Sequence, residues 1–211
     1  MRSYDQYCGL ALALDRIGER WTLLIVRELL TGPKRYVDLC NGLPSVATNL
    51  LSNRLKGMEA DGLITRKLLP PPAASTVYTL TDLGLELEDA VHALIRWGGN
   101  FMGHRSDGQN FQTHWLPLAL QSVMTHAPAA GNQLTVAINL PEGTTTLRFE
   151  ESGIRIVPED GEPDLRLHGR AELVLGLASG FLTWDSALAS GLSVTGPDPK
   201  IAALRSLFYK T

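Results

Sequence analysis

The chain has 211 residues, 44% of them hydrophobic and 19% charged, with a formal net charge of -3. That balance fits one or two folded domains able to bury a core, and it excludes a disordered tail or linker. The slight negative charge excludes a surface that clings everywhere to nucleic acid, so any DNA-facing side must be local.

The longest unbroken apolar run near the start, Leu10 to Leu14, is flanked by Asp5 and Asp15 and is too short for a signal peptide or a membrane span. A cytoplasmic protein with no membrane partner is therefore expected. Residues 14–40, LDRIGERWTLLIVRELLTGPKRYVDLC, open with a helix too apolar to face water. Trp21, Leu24, Ile25 and Leu29 form one stripe on it, and Leu23, Val26 and Leu30 widen that stripe almost all round. Gly32-Pro33 ends the helix, because proline cannot supply the next helical N–H, and leaves Lys34 and Arg35 in a tight turn. A short helix from Tyr36 to Asn41 stops at Gly42 and Pro44, and a third begins at Ala47 or Thr48 and runs through Leu50, Leu51, Leu55 and Met58 to Gly62. Two short helices joined by a tight turn make a helix-turn-helix candidate.

The outer face of the third helix carries Thr48, Asn49, Ser52, Asn53 and Lys56, with no carboxylate before Glu59. Such a face suits the major groove, where asparagine pairs with adenine and short hydroxyls reach bases or phosphates. A merely solvated helix face has the same residue types. Leu63 to Leu68 and Thr76 to Leu80 read as two strands joined by a proline-rich tip, which is a wing beside Arg66 and Lys67. Lys34, Arg35, Lys56, Arg66 and Lys67 then offer phosphate contacts, which position a protein without reading sequence. Further on, Leu87, Val91, Leu94, Gly98 and Phe101 recur at spacings of four and three, a stripe that fits either a partner helix or an internal core.

A domain boundary is expected near residue 104, where Gly98-Gly99 gives way to the polar link from His104 to Asn110. Beyond it come alternating runs: Leu134, Val136, Ile138 and Leu140, then Leu147 and Phe149, then Ile154 and Ile156. Helices follow over residues 170–179 and 183–190, then a strand with Leu192 and Val194, then a last helix with Ile201, Leu204, Leu207 and Phe208. The expected fold class is α+β throughout.

Cys8 and Cys40 form no disulfide framework and no metal-spaced cluster, so neither a metal nor a cofactor is expected. His92, His104, His114, His126 and His168 share no ligand spacing, and no nucleophile-elbow or metalloprotease motif occurs. An enzyme is not expected.

The segments ALDRIGERWTLLIVRELL, LLSNRLKGMEADGLI and YTLTDLGLEL together resemble the HxlR-type winged-helix transcriptional regulators over about the first hundred residues. The resemblance implies a homodimer, built from the N-terminal segment and the last helix of this half, on a two-fold symmetric double-stranded DNA operator. It also implies a redox-sensing role for a cysteine placed where Cys8 stands. Here Gly9 follows that cysteine in place of the family's common proline, and no cation adjoins it in sequence. The rival for Cys8 is a structural thiol at the dimer interface. From about residue 115 to 209 the order of elements, with PDLRLHG before the helices and SGLSVTGPDPKIAALRSLF after them, resembles the sterol carrier protein type-2 domain. That resemblance implies an apolar tunnel and an apolar small-molecule effector, with Phe181, Leu182, Trp184, Leu188 and Phe208 as its expected lining; plain core is the competing role for each.

The expected organisation is thus a winged helix-turn-helix DNA-binding and dimerisation domain over 1–104 and a sterol-carrier-like α+β domain over 111–211. The expected function is a dimeric DNA-binding transcriptional regulator. A lipid carrier whose helical half makes protein contacts is the alternative, and it would not need a basic, carboxylate-poor helix face.

Overall fold

The computed structural model describes residues 3–72, 74–102, 108–124, 133–158 and 161–208. The expected boundary near residue 104, together with His104 and His126, lies outside them. The chain forms two compact units, Met1–Val91 and His92–Thr211.

In the first unit the apolar opening is two helices, not one: α1, Gly9–Ile17, and α2, Thr22–Leu30. Gly18 closes α1 by donating its N–H to the Leu14 carbonyl, and Trp21 enters α2 from the left-handed region at φ 81°. The buried arc of α2 is Thr22, Ile25, Val26, Glu28 and Leu29. Leu24, expected on that arc, is 40% exposed, because the inward face is turned toward 22 and 26 and away from 24. Next come α3, Tyr36–Gly42, and α4, Thr48–Ala60, in which Leu51, Leu55 and Met58 face inward at i, i+4 and i+7. Strands β1, Ile64–Leu68, and β2, Thr76–Leu80, pair antiparallel with Ile64 opposite Leu80. Thr81 caps the short α5, Asp82–Leu85, by accepting the Gly84 N–H at 3.1 Å, and Gly84 lacks a side chain where a Cβ would run into the Leu63 carbonyl oxygen. Helix α6, Glu88–Gly98, spans the division between the units.

The second unit continues from α6 through a 3-10 turn at Gly99–Phe101. Helix α7, Leu116–Val123, precedes a mixed five-stranded sheet of β3 Leu134–Leu140, β4 Gly143–Glu150, β5 Gly153–Val157, β6 Leu165–His168 and β7 Ser193–Thr195. The strand order is β5-β4-β3-β6-β7, with β3 to β5 an antiparallel meander, β6 parallel to β3, and β7 antiparallel to β6. Helices α8, Ala171–Ala178, and α9, Trp184–Ala189, fill the connection from β6 to β7, and α10, Asp198–Phe208, closes the chain's described part. One cluster forms the core: Leu116 and Leu120 from α7, Val136, Ile138, Leu147, Phe149, Leu165 and Leu167 from the sheet, and Val174, Leu177, Trp184, Leu204 and Phe208 from the later helices. Ile156 departs from its expected inward place and is 49% exposed on the edge strand β5, whereas Ile154 on the same strand is buried.

Candidate nucleic-acid interface

Helix α4 is presented by its anchorage. Three inward residues, Leu51, Leu55 and Met58, are each at most 2% exposed, which fixes the rotation of the helix about its axis. Arg54 pairs with Glu19 at 2.8 Å and Arg16 pairs with Asp61, the C-cap residue, at 3.0 Å, so α4 is tied to α1 and to the α1–α2 turn. Each exposed pair contributes little energy, but the two together set position along the helix.

That rotation leaves Thr48, Asn49, Asn53 and Lys56 exposed on the outer side of α4. Ser52 is different: it is half-buried, and its hydroxyl lies 3.0 Å from the Tyr36 hydroxyl, which also reaches the Thr48 carbonyl at 2.9 Å. Tyr36 therefore locks the start of α4 to α3, and Ser52 holds the tyrosine in place. Sequence reasoning had no signal for Tyr36, since its partners lie 12 and 16 residues away. Asn49 accepts the Leu50 N–H at 2.8 Å through Oδ1, whereas Asn53 has no side-chain partner among the described residues.

The cationic turn after α2 belongs to the wing. Lys34 and Tyr78 exchange backbone hydrogen bonds of 3.0 and 2.7 Å, an isolated bridge that lays the turn alongside β2. The greasy helix and its cationic end thus have separate tasks, because α2 fills the core while Gly32-Pro33 delivers Lys34 and Arg35 to the hairpin. Lys34, Arg35, Lys56 and Lys67 have no ion-pair partner among the described residues. Arg66 does have one: its Nε donates to Glu59 at 2.9 Å, and this carboxylate holds the guanidinium above its ordinary range. The five expected phosphate-facing cations are therefore four free charges and one compensated charge.

A difference in salt dependence follows. Lys67→Ala should lower the slope of log affinity against log salt by about one, as expected for one lost phosphate contact. Arg66→Ala should lower it by much less. Fluorescence anisotropy on a duplex across a salt series reads both variants, and equal changes in slope would show that Arg66 leaves Glu59 for DNA.

Cys8 is exposed at the N-cap of α1, where the backbone N–H groups of Ala11 and then Leu10 hold its thiol below the usual range. A helix N-terminus thus supplies the polarity that no neighbouring cation in sequence provides. The five side chains expected around an apolar tunnel in the second unit divide between one core cluster and the surface. Trp184 and Phe208 are buried in the core cluster with ring centroids 6.5 Å apart, Leu182 is half-buried over Gly176, and Phe181 and Leu188 are 65% and 40% exposed. Among the described residues no helix is long and apolar enough to cross a membrane.

A helix-turn-helix with its second helix presented outward, followed by a two-stranded hairpin bearing free lysine, defines a winged helix-turn-helix-like domain within a mixed α+β chain. A model of the HxlR-like helix-turn-helix family matches residues 16–106. The HTH-type transcriptional regulator YodB of Bacillus subtilis (strain 168) is 32% identical over 89 residues, which are 42% of this chain and 80% of that protein. The uncharacterised HTH-type transcriptional regulator YkvN of the same strain is 32% identical over 94 residues, 44% of this chain and 80% of that one. The chain belongs to the HxlR-like helix-turn-helix family. Its relatives are transcriptional regulators, and no enzyme family is indicated. Among solved structures, the redox regulator HypR in its oxidised form is 28% identical with a TM-score of 0.42, the match covering 47% of this chain and 99% of HypR.

Proposed function

We propose that the protein is a dimeric, sequence-specific transcriptional regulator that reads its operator with the outer face of α4 and clamps the flanking phosphates with the cationic turn and the wing. One observation carries this reading: Thr48, Asn49, Asn53 and Lys56 stand exposed on a helix with no carboxylate before Glu59, and Lys34, Arg35 and Lys67 on the adjoining turn and hairpin have no ion-pair partner among the described residues. Helices exposed in this way place their N-terminal residues at base edges.

Two apolar surfaces support the dimer. On the N-terminal segment Tyr4, Tyr7, Leu10 and Leu14 are exposed, Tyr7 completely. Along α6 the expected stripe divides, for Val91 is core at 5% exposure whereas Leu94 stands 47% exposed. A two-fold dimer would present two copies of α4 to successive turns of the major groove and so require a palindromic site. In this reading the C-terminal unit is architecture, with Trp184 and Phe208 packed in its core cluster. Cys8 adds a redox element, with the amides at the start of α1 favouring its thiolate.

Selection of duplexes from a random pool by the full-length protein tests the proposal. The expected product is a palindrome whose half-sites lie about 10 base pairs apart, one helical turn. A pool that stays random would sink the reading and favour a lipid carrier. Repeating the binding after mild peroxide should show reversible loss that Cys8→Ser removes; a Cys8→Ser protein that still responds would end the redox element.

A further inference from the structure

The winged half holds a cleft of about 510 Å³ beside the C-terminal end of α4. Reading DNA does not use it. Ala13 and Ile17 of α1, Leu83 of α5 and Leu87 just after it give it apolar walls, together with Leu63, which is buried. Its size and lining are those of a small-molecule site, since such pockets run to about 300–1,000 Å³ and are mostly apolar with a few polar groups.

The walls are fixed by local structure. Gly62 turns the chain back from α4 at φ 72°, a left-handed conformation that suits glycine, so that Leu63 follows directly on the helix end. The Leu63 carbonyl then accepts the Thr81 N–H at 3.1 Å, and Gly84, having no side chain, lets α5 come against that same carbonyl. This seats the α5 wall. On the other side Arg16 of α1 pairs with Asp61 at 3.0 Å, which holds α1 to the end of α4.

Charge selects the ligand. Among the described residues the charged lining is Arg16, Asp61 and Glu86. Arg16 and Asp61 satisfy each other, whereas Glu86, the C-cap residue of α5, has no ion-pair partner among the described residues. The surroundings add to this. No lysine or arginine occurs between Lys67 and Arg96, a stretch that carries Asp82, Glu86, Glu88 and Asp89, so the potential on the α5 side is negative. An anionic ligand would have to draw Arg16 away from Asp61, whose side chain is only 10% exposed, and would leave that carboxylate without its cation. A cation needs no such exchange.

We propose that this cleft binds a small organic cation, its charge against the Glu86 carboxylate and its apolar body against Ile17, Leu63, Leu83 and Leu87. Such binding is independent of what α4 reads on DNA.

The test is calorimetric titration of the full-length protein with three probes that share one apolar body and differ in charge: para-tert-butylbenzylammonium, para-tert-butylbenzyl alcohol and para-tert-butylbenzoate. The ammonium ion is expected to fill one saturable site, with the alcohol and the benzoate each about tenfold weaker or worse. Glu86→Gln should remove that preference and leave the alcohol's affinity as it is. Leu83→Trp, which fills the cleft and keeps the carboxylate, should weaken the ammonium ion with an unchanged circular dichroism spectrum. Equal binding of the three probes, no binding of any, or an ammonium affinity unchanged in either variant would overturn the site. An ammonium affinity that appears only on dilution to monomer would also overturn it and assign the cleft to a second copy of the chain.

Discussion

Replacing Asn49 and Asn53 together with alanine is expected to leave the protein folded and dimeric yet unable to prefer its operator over random DNA. The two residues stand i, i+4 on the outer side of α4, so one groove receives both. A good base contact discriminates by about 1–3 kcal/mol, and two together give roughly 30-fold to more than 1,000-fold. On random duplex, where phosphate contacts dominate, the loss should stay within about threefold. The two asparagines should not contribute equally. Asn53 has no side-chain partner among the described residues, whereas Asn49 uses Oδ1 on the Leu50 N–H and must release it before pairing with a base edge. Asn53→Ala alone should therefore cost more than Asn49→Ala. Equal losses on operator and random DNA would reassign both residues to phosphate or packing roles.

Removing the Glu28 carboxylate is expected to be among the most destabilising single changes in the winged half. Glu28 is 1% exposed in the last turn of α2 and accepts from Arg27 at 2.8 Å, and burial pushes the Arg27 guanidinium down while Glu28 opposes that shift. Glu28→Ala removes the carboxylate that Arg27 meets at 2.8 Å, at a cost of about 3 kcal/mol, the lower end of the range for a broken buried pair because Arg27 keeps some exposure and a further interaction. Gly42, at the end of α3, is the other side of the same arrangement. A Cβ there would meet the Glu28 carboxylate oxygen at 2.6 Å, so Gly42→Ala should destabilise by about 1–3 kcal/mol through overpacking. The two effects are coupled. In a Glu28→Ala background the methyl group at 42 has space, and Gly42→Ala should cost well under half its cost in the wild type. Urea unfolding of the four proteins of this cycle decides it, and simple additivity would show that Gly42 and Glu28 do not share the contact.

The winged half was largely legible in the sequence because its signals are local. Glycine and proline at 32–33 and 42–44 end helices wherever the chain lies, and apolar spacing along 51, 55 and 58 gives α4 its inward face with no knowledge of what it faces. What those signals omit is partnership across distance. The sequence lists Lys34, Arg35, Lys56, Arg66 and Lys67 as equal cations, and only the fold puts Glu59 against Arg66 and gives the others no ion-pair partner among the described residues. It offers Ser52 as a DNA contact, and only the fold turns it toward Tyr36.

In the second half the sequence determined the elements but not their use. The period-two runs and the closing strand, turn and helix were fixed by alternation and by Gly-Pro punctuation, which are properties of the backbone itself. Whether Trp184, Phe208 and Phe181 line a cavity, fill a core or face outward is settled by the packing of helices against the sheet. Burial is a property of the whole assembly of elements, and a residue's type and spacing are the same in all three places. Tertiary structure therefore decided that Trp184 and Phe208 close the core while Phe181, one turn after α8, stands out beside Gly99.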